Sequence, residues 1–124
     1  MLLNPKMKNK LSTGVDIVSI NRIKEILTSS KRERFLKKVF SLNEINDAKL
    51  KHNEAQFFAG RFAAKEAIKK ATSSKEKHSA LKFKSIEVFN HKSGKPGVNF
   101  EDNVIVDLSI SHDGNYAIAF CVVQ

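Results

Sequence analysis

The chain has 124 residues, enough for one compact domain and too few for two. Twenty-two Lys and Arg against 13 Asp and Glu give a net charge of +9, a field that speeds encounters with acidic protein, polyphosphate or nucleic acid. With 41% hydrophobic residues, no run long enough to span a bilayer and a single cysteine, the composition excludes a wholly disordered chain, a membrane span and an intrachain disulfide.

Residues 1–10, with Lys6, Lys8 and Lys10, lack the apolar stretch of a signal peptide and read as a flexible tail before a domain covering 11–124. A cytoplasmic location follows from this reading and from the sparse cysteine. Thr13-Gly14-Val15-Asp16-Ile17-Val18 has the pattern of a strand, after which Ser19 caps a helix with Ile20, Ile23, Ile26 and Leu27 on one face. Residues 31–40 form a basic amphipathic segment that buries Phe35, Leu36, Val39 and Phe40. Ser41 with Glu44 is a capping box, which predicts a helix to about Lys51. A longer helix spans 54–71, and a lysine-rich loop follows it to Ser79.

The second half changes to strands. Residues 83–89 read as one, 93–97 as a turn and 98–100 as a short return strand. Along 104–110 the alternation puts Val104, Val106, Leu108 and Ile110 on one face, with Ser109 and Ser111 on the other. Asp113-Gly114 signals a two-residue hairpin before a last strand over 116–123, which holds Cys121 as a small core hydrophobe. Helices before strands predict an α+β fold, with N-terminal helices packed on a small, mainly antiparallel sheet.

Several polar residues stand at unusual places. Asp16 lies between Val15 and Ile17, where a carboxylate is costly unless it is paired, capping or metal-bound. Phe58, Phe62 and Glu66 recur every four residues, which places a carboxylate beside an apolar helix edge; an ion pair with Lys70 is the alternative use of Glu66. Arg61, Lys65 and Lys69 read as an adjoining basic stripe, suited to phosphate oxygens and equally to water. His112 ends Ser109-Ile110-Ser111-His112 at a hairpin mouth, where an imidazole binds phosphate, moves a proton or is simply solvated. Neither zinc-ligand spacing nor a phosphate-binding glycine loop is present.

Taken together, these stretches resemble the holo-acyl-carrier-protein synthases, the small phosphopantetheinyl transferases. The resemblance rests on five ordered blocks over about 12–123: Gly14-Val15-Asp16-Ile17-Val18 with Asn21-Arg22-Ile23, then Phe35-Leu36-Lys37-Lys38-Val39-Phe40-Ser41 through Glu44. Gly60-Arg61-Phe62-Ala63-Ala64-Lys65-Glu66-Ala67 through Lys70-Ala71 follows, then Ser93-Gly94-Lys95-Pro96 and Ser109-Ile110-Ser111-His112.

What the resemblance implies is specific. The reaction moves the 4′-phosphopantetheine arm of coenzyme A to a serine of an acidic acyl carrier protein, releasing 3′,5′-ADP, in fatty acid biosynthesis. Asp16 and Glu66 would hold Mg²⁺, a hard cation suited to carboxylates, waters and substrate phosphates. Lys70 would stabilise the leaving group, and His112 joins Asp16, Glu66 and Lys70 among the catalytic positions. Arg61, Lys65, Ser111, His112, Gly94, Lys95 and Pro96 would contact coenzyme A. Glu44 and a water on the metal both stand as the base for the serine proton. Arg22, Lys31, Arg32, Arg34 and Lys38 would dock the carrier, and family members form homotrimers with active sites shared between neighbouring chains.

Two departures from the family stand out. Residues 72–79 lack the glycines of many relatives, and about eight extra residues precede the first block. The rival class is a non-enzymatic basic module that binds RNA or an acidic protein. Exposed aromatics interleaved with basic residues, the usual mark of single-strand binding, are weak here. The larger phosphopantetheinyl transferases are pseudo-dimers about twice this length. The implied partners are therefore a carrier protein and coenzyme A, with neither nucleic acid nor membrane.

Overall fold

One glycine decides where the first strand can lie. In the computed structural model, which describes residues 11–73, 81–101 and 103–124, strand β1 (Ser12–Ser19) crosses helix α4 (Glu54–Thr72) at Gly14. A Cβ there would sit 1.9 Å from the Ala67 carbonyl oxygen and 3.1 Å from the Ala71 amide nitrogen. Because backbone cannot give way as a side-chain tip can, Gly14→Ala should lower stability by about 1–3 kcal/mol or more. A thermal melt of the variant checks this, and an unchanged midpoint would contradict the close crossing.

β1 pairs with β5 (Tyr116–Val123), which pairs with β4 (Val106–Asp113), giving an antiparallel sheet in the order β1-β5-β4. Between β1 and α4 in the chain come α1 (Ile20–Leu27), α2 (Arg32–Val39) and α3 (Leu42–Ala48); after α4 come a 3₁₀ turn (Phe83–Ser85) and a small hairpin of β2 (Glu87–Asn90) and β3 (Pro96–Asn99). The fold is α+β, as the sequence predicts. Val18, Leu108, Ala117, Ala119, Cys121 and Val123 face α4 from the sheet, and Ile23, Leu27, Leu36, Phe40 and Ile86 complete the core. Phe40 and Phe58 pack as a tilted pair with centroids 4.7 Å apart, and Phe35 meets Phe40 edge-on at 5.7 Å.

The two predicted caps form: Ser19 Oγ accepts from the Arg22 amide, and Ser41 and Glu44 make the reciprocal capping box. Asn53, not foreseen from the sequence, caps α4 through the Gln56 amide. Other expectations need correction. Residues 83–89 are not one strand, because a 3₁₀ turn precedes β2. α3 stops at Ala48, short of Lys51. Pro96 and Gly97 belong to β3 and not to the turn before it. The hairpin loop is Gly114-Asn115, one residue later than expected, with Gly114 at φ +55° and Asp113 opposite Tyr116. That pattern, glycine alone at positive φ in the first loop position, fits the strand twist. The tail expected over 1–10 and most of the 72–79 loop lie outside the described residues.

The sheet has two unlike faces. Gly14, Asp16 and Val18 point towards α4, whereas Val15 and Ile17 point outward with Tyr116, Ile118 and Phe120. These five side chains are 40–61% exposed. Register puts Ile17 beside Ile118 and Ser111, and Val15 beside Phe120 and Ser109. A contiguous apolar face of this kind marks an interaction surface.

Candidate active site

The crossing at Gly14 carries the first group of polar residues. Asp16, two residues along β1 and 17% exposed, turns to the α4 side of the sheet and receives a 2.9 Å hydrogen bond from Lys70 Nζ. Lys70 also donates to the Val15 carbonyl at 3.1 Å. Glu66 lies one helical turn before Lys70, so both rise along the same side of α4. It is half-buried and has no hydrogen bond or ion pair among the described residues. The alternative Glu66–Lys70 pair does not form, since Lys70 turns to Asp16.

This donor set suits a hard divalent cation. Asp16 and Glu66 supply carboxylate oxygens, Glu66 is uncommitted, and no group of three or more His, Cys, Asp or Glu converges among the described residues. Two carboxylates leave further coordination positions for substrate phosphates and water, the usual arrangement for Mg²⁺.

His112 lies elsewhere. Its Nε2 is 3.1 Å from Gln56 Nε2, near the N-terminus of α4. Gln56 and Glu66 are ten residues apart on one helix, roughly 15 Å along its axis. A third group forms at the β2–β3 turn, where Gly94 takes φ +91° and Lys95 Nζ bonds Asp107 at 2.9 Å. Asp107 and Ser111 are on the outer face of β4, across the sheet from Asp16 and His112. One chain therefore holds Asp16, Glu66 and Lys70 together, and holds His112, Ser111 and the 94–96 turn apart from them.

Two expected site residues are in the core. Lys65 is fully buried and is not part of a basic stripe: its Nζ donates to Glu44 Oε1 at 2.6 Å, the Val39 carbonyl at 2.7 Å and the Phe83 carbonyl at 3.2 Å. All three ammonium protons are thereby used, which removes Lys65 from contact with coenzyme A. Burial pulls its pKa below the usual lysine range, and the Glu44 charge opposes that shift. Glu44, also fully buried, accepts from the Ser41 and Val88 amides besides Lys65. Fully buried and held by these donors, it is not placed to take a serine proton. Sequence reasoning found Glu44 as a cap and missed its second role, because its lysine partner is 21 residues away.

Arg61 is 8% exposed, stacked over the Phe57 ring at 4.4 Å, and its Nε has no hydrogen-bond partner among the described residues. It borders a pocket of about 450 Å³ with Asn43, Asp47, Glu87 and Asn90. Burial lowers its pKa from the ordinary guanidinium value, against the charges of Glu44 and Asp47. Cys121 is buried, and that burial pushes its thiol up to about 11 against a hydrogen bond from the Gly14 backbone, so it is a packing residue. Among the docking candidates, Arg22, Lys31, Arg34 and Lys38 are exposed. Arg32 is committed to Glu54, at 2.5 and 3.0 Å.

Comparison with known proteins shows the family. A holo-acyl-carrier-protein synthase of Halothermothrix orenii is 41% identical over 119 residues, covering 88% of this chain and 93% of the relative. Its counterpart in Thermodesulfovibrio yellowstonii is 43% identical over 111 residues, covering 89% and 95%. A Bacillus anthracis holo-acyl-carrier-protein synthase, solved in complex with CoA (3′,5′-ADP), superposes with a TM-score of 0.76 at 38% identity over 90% of this chain and 94% of that one. Residues 12–121 match the 4′-phosphopantetheinyl transferase superfamily. On that match and those identities, the chain belongs to the 4′-phosphopantetheinyl transferase superfamily.

Proposed function

We propose that the chain transfers the 4′-phosphopantetheine group of coenzyme A to a serine of apo-acyl carrier protein, giving holo-acyl carrier protein and 3′,5′-ADP for fatty acid biosynthesis. The observation that carries this at the level of residues is Lys70 bound to Asp16, one turn from an uncommitted Glu66, at the β1–α4 crossing. In the reaction a bond forms between the serine Oγ and the β-phosphorus of coenzyme A as the serine hydroxyl gives its proton to water. The bond from that phosphorus to the bridging oxygen breaks, and 3′,5′-ADP departs with the electron pair.

Asp16 and Glu66 are the residues that would hold Mg²⁺, which when bound supplies positive charge against the pyrophosphate. Lys70 already points to this spot from its bonds to Asp16 and Val15, so its ammonium is oriented before substrate arrives. Its charge then stabilises the 5′-phosphate of the departing 3′,5′-ADP. Glu44 has no part in the proton transfer, for the reason given above.

The reading extends to a homotrimer with shared sites. Its support is the apolar outer face of the sheet, together with the separation of Asp16, Glu66 and Lys70 from His112, Ser111 and the Gly94-Lys95-Pro96 segment within one chain. In such an assembly a neighbouring chain supplies the second set as contacts to coenzyme A. Arg22, Lys31, Arg34 and Lys38 present positive charge to the acidic carrier, with Arg32 braced by Glu54, and this docking weakens as salt rises. No helix among the described residues is long and apolar enough to cross a membrane; the setting proposed is the cytoplasm, with neither nucleic acid nor membrane as partner.

The test is release of 3′,5′-ADP from coenzyme A, followed by chromatography. Release that needs apo-carrier protein and stops with EDTA is the expected result. Salt-sensitive RNA binding without any such release would replace this reading with that of a basic binding module.

A further inference from the structure

At the tip of the β4–β5 hairpin, Asn115 makes three hydrogen bonds to the start of α1. Its carbonyl oxygen accepts from the Ile20 amide at 2.7 Å and its Oδ1 accepts from the Asn21 amide at 2.8 Å. Its Nδ2 donates to Ser19 Oγ at 3.1 Å. That same Ser19 oxygen accepts from the Arg22 amide at 3.2 Å. The first three amides of α1 are therefore satisfied by two residues, and two of the three by a residue 94 or more positions away in sequence. A helix of eight residues has little stability of its own, so its direction depends on what holds its end.

The direction of α1 matters because Arg22 is exposed on it, one turn after β1 delivers Asp16 to the site. Asn115, Asn21 and Lys24 also line a pocket of about 640 Å³ with His52 and Gln56, the partner of His112. We infer that Asn115 is a positioning residue for carrier-protein docking: it clamps the start of α1 to the hairpin and so sets where Arg22 meets the carrier. This rests on the reading of Arg22 as a docking residue.

The experiment measures kcat, the KM for apo-carrier protein and the KM for coenzyme A, together with the melting temperature. The variants are Asn115→Ala, Asn115→Asp and Arg22→Ala in the full chain. Residue 115 does not have positive φ, so alanine fits its backbone. Asn115→Ala should raise the KM for the carrier about tenfold, with kcat and the KM for coenzyme A within about twofold, since misorientation of about 1 Å already weakens productive contacts. Asn115→Asp should stay near the parent, because its oxygen still accepts from the Asn21 amide and the Ser19 hydroxyl can turn to donate.

An unchanged carrier KM in Asn115→Ala, alongside a raised one in Arg22→Ala, overturns the positioning role alone. No change in either overturns the docking reading as well. A loss spread equally over kcat and both KM values, with a lowered melting temperature, overturns the inference in favour of a general structural role. A carrier KM in Asn115→Asp as high as in Asn115→Ala overturns the hydrogen-bond basis.

Discussion

Glu66→Ala is expected to lose at least about 10³-fold in kcat/KM while melting within a few degrees of the parent protein. The side chain takes no part in any hydrogen bond or ion pair among the described residues, so its removal orphans no buried partner. Alanine is also the better helix former, and α4 should lose nothing. The loss arises because Glu66 is one of two carboxylates available to a divalent cation at the crossing. Removing a single preorganised electrostatic group from a reaction centre commonly costs about 10²–10³ in rate, and loss of a metal ligand costs at least that. Glu66→Gln keeps the shape and loses the charge, so it should be nearly as inactive. Steady-state kinetics with apo-carrier protein decides the matter. Activity within tenfold of the parent in a folded Glu66→Ala protein would take Glu66 out of the mechanism.

Lys65→Met has a comparably large expected effect, on stability instead of chemistry. It leaves Glu44 as a buried, unpaired carboxylate at the point where α3, α4 and β2 meet. Breaking one partner of a buried ion pair costs about 3–5 kcal/mol. For a chain of this size that is on the order of 10–20 °C in melting temperature. The double variant Glu44→Gln with Lys65→Met should recover part of the loss. Its neutral amide can accept from the Val88 or Ser41 amide and donate to a carbonyl that Lys65 leaves behind. Urea and thermal unfolding compare the parent with the single and double variants, and a Lys65→Met protein that loses under about 1 kcal/mol would show that the pair contributes little.

Much of this was legible in the sequence. The strand around Asp16, the capped start of α1, the Ser41–Glu44 box and the length of α4 all follow from local patterns that the structure keeps. The α+β class follows from their order. Lys65 is where the pattern failed, for a physical reason. A helix wheel assumes one wet face, but 13 of the 19 residues of α4 are buried, with the sheet on one side and the other helices and the β2 strand packed around the rest. Charged residues on such a helix are paired inside or lie at its margins. Arg61, flattened over Phe57, shows the same limit.

The site was legible in its parts and not in its assembly. Asp16 and Lys70 meet, although their sequence separation of 54 residues hides it. His112 and the Gly94-Lys95-Pro96 segment are elsewhere in the same chain; the family resemblance implied a shared site, and the three-dimensional separation of the groups gives a physical reason for one. Asn115 carried no signal at all. Its role appears once the hairpin folds back on α1, because the contacts join residues at opposite ends of the chain.

The most direct test is intact-mass spectrometry of an apo-acyl carrier protein incubated with this chain, Mg²⁺ and coenzyme A. The account predicts that the carrier gains one phosphopantetheine, that EDTA prevents the gain and that replacing the carrier's acceptor serine abolishes it. A carrier mass unchanged across several acidic carrier proteins, with the enzyme folded and metal present, would contradict the transfer reaction itself.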